Sequence, residues 1–145
     1  MLAELGKAAD AQARPRTRVQ WTEVTLPTDE RQAQRENQLR AVLRRESHHA
    51  DWGSPPGDFV EASLHVTEFS IEHRPDVVRV TCSAVGRLHK GPMVRTHFSF
   101  GGNPKKRDAL EQTMLTLVGR GVVTRLAAVS RTRSPAGHER SSLSR

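Results

Sequence analysis

Tyrosine is missing from this chain, cysteine occurs once, and aromatic residues fill only 4% of its 145 positions. The lone Cys82 excludes an internal disulfide framework and fits a reducing compartment. Few aromatics means few rings on which an open sheet could stack the bases of a single strand. No apolar run approaches the roughly 20 residues of a transmembrane helix. The opening stretch MLAELGKAADAQARPRTRVQ lacks the apolar centre of a secretory signal. Hydrophobic residues reach only 35%, so part of the chain is expected to stay outside any core. These absences predict one soluble, cytoplasmic domain with no membrane association and no cofactor.

What the chain has in excess is positive charge, and it is unevenly placed. The net charge is +7, of which +6 falls within residues 104–145, where nine basic groups meet three acidic ones. A basic end of that kind favours a polyanionic partner, nucleic acid first.

Periodicity predicts an order of elements. Residues 1–25 follow neither helical nor strand spacing and read as a flexible N-terminal segment. LPTDERQAQRENQLRAVLRRES reads as a helix capped by Thr28, with Asp29 and Glu30 at its positive end and a thin apolar face of Ala33, Leu39, Val42 and Leu43. HHADWGSPPGD reads as a loop that leaves Trp52 as a free ring. Three strands follow. In the first, Val60, Ala62, Leu64 and Val66 alternate with polar residues until the parity flips at Thr67–Glu68, the mark of a bulge or bend. In the second, Val78, Val80, Cys82 and Ala84 share a face, and in the third Val94, Phe98 and Phe100 do. A closing helix is capped by Asn103 and opened by Pro104. Its stripe of Leu110, Met114, Leu117 and Val118 ends at Gly119, and a further short helix carries Val122, Leu126 and Val129. The expected fold is two-layer α+β: a three-stranded antiparallel sheet with helices on one face, ordered α-β-β-β-α with room for one more C-terminal helix. The domain is expected to span residues 26–130, followed by a disordered basic tail at 131–145.

Most catalytic and metal chemistry is disfavoured by spacing. His48 and His49 are adjacent and share no helical face, while His65 and His97 point away from Cys82 by strand parity, so no metal site is expected. There is no Gly-x-Ser-x-Gly elbow and no serine or cysteine with a visible base, so no enzyme is expected. GGNPKKR, at 101–107, is not a phosphate-binding loop of the Walker type. It does place Lys105, Lys106 and Arg107 in a helix's first turn, where the dipole disfavours cations unless an anion offsets them.

The order helix, three strands, helix, with a glycine-containing loop and a Lys-Lys pair opening the last helix, resembles the double-stranded RNA-binding domain family. The resemblance implies duplex binding, RNA before DNA, across about residues 30–118. Lys105, Lys106 and Arg107, with Asn103 as cap, would contact phosphates. His73 and Arg74 would stand in for the loop that enters the minor groove, and Gln34 and Gln38, beside Asn37, would be the opening helix's contacts. The alternative is a small assembly or adaptor protein of the mobile-element or phage type. It would act through protein partners or self-association, by its sheet edge or by an exposed Val122–Leu126–Val129 stripe.

Overall fold

The computed structural model describes residues 17–53, 55 and 59–133. Of the flexible segment read at 1–25, residues 1–16 lie outside those described while 18–25 form a strand; of the basic tail read at 131–145, residues 134–145 lie outside them while Arg131 and Thr132 are helical. A strand absent from the sequence reading opens the fold: Arg18–Thr25 (β1), in which Val19, Trp21 and Val24 turn toward the core. The chain then crosses over through a helix, Gln32–His49 (α1), and returns as Phe59–His73 (β2), which lies parallel to β1. Val78–Leu88 (β3) and Met93–Gly102 (β4) continue as antiparallel neighbours, and a helix of 26 residues, Arg107–Thr132 (α2), is the last element among the described residues.

The sheet is therefore four-stranded and mixed, in the order β1-β2-β3-β4, rather than three-stranded and antiparallel. A parallel neighbour requires a crossover connection, which α1 supplies. The α+β class stands. The cause of the miss is local: the register slips between Trp21 and Glu23, and that bulge breaks the alternation that would mark a strand. A second slip, between Val66 and Glu68, falls where the sequence parity flips. Beyond it Phe69 and Ile71 turn to the core side, against the faces of Cys82 and Val80.

Both helices lie on one face of the sheet and run side by side. Glycine explains how closely. A Cβ on Gly119 would stand 2.5 Å from Val42 Cγ1, and one on Gly121 would stand 3.2 Å from the Phe98 ring. The glycines read as a helix end are interior positions where a neighbour leaves no room for a side chain. α2 accordingly runs unbroken, and Val122 and Leu126 are fully buried in its own core. The start of α1 also differs, since the helix begins at Gln32 rather than after Thr28, and the side chain of Asp29 accepts from the Arg31 N–H at 3.2 Å. Trp52 is buried, not free. Its indole N–H donates to Ser47 O at 2.9 Å, and its own carbonyl accepts from Ser130 Oγ at 2.7 Å, which closes the C-terminal end of the helix layer.

Candidate interaction surface

The two helix N-termini meet at the same end of the sheet, and there the charges pair with one another. Glu111, one turn into α2, is buried. It accepts from Arg35 Nη2 at 2.9 Å and Arg31 Nη1 at 3.0 Å, with Arg107 Nε at 3.8 Å. Arg35, also buried, reaches Asp29 at 2.9 Å and lies over the Phe69 ring at 4.4 Å, while Arg31 also pairs with Asp108 at 3.0 Å. Hydrogen bonds to Asp108 and Glu111 raise the Arg31 pKa. The Arg31 backbone N–H, and then Arg35, lower that of Asp29. Three arginines thus face three carboxylates from the same chain, and the inward face of α1 looked thin because its first buried residue is a paired arginine.

This answers what offsets the basic helix start. Arg107 turns toward Glu111 rather than outward. Lys105 and Lys106 are exposed in a 3-10 turn, Pro104–Lys106, and Asn103 Oδ1 accepts the Lys105 N–H at 2.9 Å, so the cap is satisfied internally. His73 and Arg74 are exposed at the β2–β3 turn, where Arg74 pairs with Glu72 at 3.4 Å. Strand register puts that turn at the same end as Gly102, so these residues share an end of the molecule. Gln34 is exposed on α1, whereas Gln38 lies in the groove between the helices beside Gln112 and Thr116.

Among the described residues, the sheet's other face carries no helix. Its rows are hydroxyls and imidazoles: Thr25 Oγ1 bonds His65 Nδ1, Thr81 Oγ bonds Ser99 Oγ at 3.0 Å, and Arg79 donates to Ser99 at 3.3 Å. One row, Glu68–Ser83–His97, spans three strands. Ser83 Oγ donates to Glu68 Oε1 at 3.3 Å and lies 2.7 Å from His97 Nδ1. If the serine's single proton goes to the carboxylate, the 2.7 Å contact requires the tautomer in which His97 Nδ1–H donates to Ser83. The order is not that of a nucleophile relay, because the acid contacts the serine rather than the imidazole. Cys82 lies on the opposite, buried face, and burial, with Glu68 adding, pushes its thiol up to about 12.

The sheet has two edges, and they differ. β1 is bulged at Trp21–Glu23, and Arg40 Nη1 donates to Trp21 O at 3.3 Å, both of which blunt strand addition. β4 runs ten residues, MVRTHFSFGG, in unbroken register with β3 and with Arg95 as its one formal charge. Two hydrogen bonds fix which of its backbone groups face out. Thr67 Oγ1 donates to Ser83 O, so the backbone of Ser83 faces β2 and its partner His97 faces away from β3. Arg125 Nη1, from α2, donates to Arg95 O at 3.0 Å, so that carbonyl also faces away from β3. By alternation, Met93, Arg95, His97, Ser99 and Gly101 present their N–H and C=O groups at the edge. On the helix side it is flanked by the partly exposed Val94, Phe98 and Phe100.

No protein-family profile matches the chain, and no curated protein matches it. Among solved structures it is similar to a minor lipoprotein from Acinetobacter baumannii, with a TM-score of 0.44 at 11% identity, covering 77% of this chain and 91% of that one. A protein assigned to the lipoproteins from Caulobacter crescentus CB15 gives 0.44 at 18%, covering 75% and 88%. The PelC dodecamer from Paraburkholderia phytofirmans gives 0.39 at 14%, covering 77% and 86%.

The fold overturns the double-stranded RNA-binding reading and the nucleic-acid partner that came with it. The order found here begins with a parallel strand that the resemblance did not include, and the sheet is four-stranded and mixed rather than three-stranded and antiparallel. The physical support falls as well, since Arg107 Nε lies 3.8 Å from Glu111 and Asn103 fills the helix start. The cytoplasmic placement is likewise withdrawn.

Proposed function

We propose that this chain is a non-catalytic assembly module in which the β4 edge pairs with β4 of a second copy. One observation carries the reading: β4 is a long, unbulged edge of low charge, whereas β1 is broken by a bulge; each edge has one carbonyl held by an arginine, Arg95 O on β4 and Trp21 O on β1. Such an edge is a template for strand addition unless something covers it. The other assembly route, an exposed Val122–Leu126–Val129 stripe, loses its basis because Val122 and Leu126 are fully buried.

Self-pairing also fits in register. An antiparallel two-fold centred on His97 sets Arg95 against Ser99 and Met93 against Gly101 of the second copy. All five outward-facing residues then face one another, for about ten backbone hydrogen bonds once Arg125 swings off the Arg95 carbonyl that it holds in the single copy. On the helix side the same register brings Val94 to Phe100 and Thr96 to Phe98. Centring on Thr96 or Phe98 leaves one such pair unused. The result is an eight-stranded sheet closed by two-fold symmetry, with every helix on one face.

Sedimentation velocity across a concentration series tests the reading. The wild type is expected to dimerise and His97→Pro to be monomeric with an unchanged circular dichroism spectrum, because the N–H removed faces outward. Proline at Glu23 on the β1 edge should leave the dimer intact. A wild type that stays monomeric at high concentration would refute the proposal.

A further inference from the structure

We infer that His97, on the two-fold axis of the paired β4 strands, makes assembly pH-dependent, with the dimer favoured when the imidazole is neutral. The inference rests on the β4 pairing proposed above. Residues directly opposite in an antiparallel pair have Cβ atoms about 5 Å apart, so the two copies of His97 would sit ring beside ring on the open face. Each ring is tethered on one side, with Nδ1 2.7 Å from Ser83 Oγ, which in turn reaches Glu68 at 3.3 Å.

The groups around His97 settle the sign. From β3 it meets only the hydroxyl of Ser83, and from β2, through that hydroxyl, the carboxylate of Glu68. On its own strand Arg95 lies two residues away on the same face, and α2 adds Arg125 at the Arg95 carbonyl. With Thr67, these residues rim a shallow hollow of about 450 Å³. In the monomer, Glu68 offsets one imidazolium. In the dimer, two imidazoliums face each other with four arginines nearby and only two carboxylates, one behind each ring. Protonation, which for imidazole falls between pH 5 and 8, thus costs more in the dimer and drives it apart.

The test is the dimer dissociation constant by sedimentation at pH 7.5 and 5.5, for the wild type and for His97→Gln, with circular dichroism confirming the fold at both values. The wild-type constant is expected to rise about tenfold or more at pH 5.5, the scale of two like charges at a half-exposed surface, and less so in high salt. His97→Gln should dimerise equally at both values. A wild-type dimer of equal strength at both pH values overturns the switch and leaves edge pairing standing. A glutamine variant that keeps the pH dependence overturns the assignment to His97. A wild type monomeric at both values overturns the pairing and the switch together.

Discussion

Replacing Glu111 with alanine should remove the anion on which three arginines converge, and the structure sets the scale. The Glu111 and Arg35 side chains are each 6% exposed. Arg31, at 37%, can return to water, and Arg107 is similarly placed, but Arg35 cannot, and it would keep only Asp29 and the Phe69 ring. Breaking a buried pair by removing one partner costs about 3–5 kcal/mol, because the remaining charge stays desolvated. The lower end applies here, since Asp29 still compensates in part. A loss of about 3 kcal/mol is large against a typical domain stability of about 5–15 kcal/mol. With a urea slope of about 1.5 kcal/mol/M it moves the unfolding midpoint down by about 2 M. Glu111→Gln retains an acceptor oxygen and should fall between the two. Urea unfolding followed by Trp21 and Trp52 fluorescence reads the shift. A change below about 0.5 M in the alanine variant would mean that the helix N-termini are held by packing alone.

Three further outcomes follow from particular contacts. Gly119→Ala should destabilise, because its Cβ would stand 2.5 Å from Val42. Gly121→Ala, 3.2 Å from the end of the half-buried Phe98 ring, should be neutral or gain up to about 1 kcal/mol of helix propensity; thermal melts compare the two. The Asp29 carboxyl is held below its ordinary value of 3.8, so its contribution is complete above that value and is lost as the pH falls through the lowered one. Asp29→Asn should therefore flatten the acid limb of the stability profile below about pH 4. Cys82, fully buried with its thiol pushed up to about 12, should react with a thiol reagent at pH 8 only through opening of the fold, at a rate that rises with denaturant. Its contribution to stability is complete below an ordinary thiol value and declines as the pH climbs from about 9 toward 12.

The last three strands were legible because one face of each alternates over most of its length, Val78–Val80–Cys82–Ala84 most of all. β1 was hidden by its bulge and by parallel pairing, which depends on a partner some 40 residues away and leaves no short-range turn signal. The glycines of α2 were misread for a similar reason. Gly119 looks like a helix end along the chain, and only the neighbouring Val42 shows that a side chain would not fit. At the helix start, Asn103 and Pro104 were legible as local signals, and the cap hydrogen bond is where the spacing places it. The partner of Arg107 was in view at Glu111, four residues on, but Arg31 and Arg35 reach that carboxylate from a helix about 75 residues earlier. The β4 edge could not be found from sequence at all, because an edge is a property of strand order.

Disulfide trapping on the β4 axis is the most direct measurement of whether this edge pairs with itself. His97→Cys would place two thiols opposite one another across the two-fold, at a Cα separation of about 5.5 Å that suits a disulfide. Arg95→Cys would leave its two thiols four residues out of register, about 13 Å apart. Native Cys82 is buried and should stay silent. Under mild oxidation the expected result is a covalent dimer from His97→Cys and none from Arg95→Cys. Equal cross-linking at both positions, or at neither, would contradict the pairing.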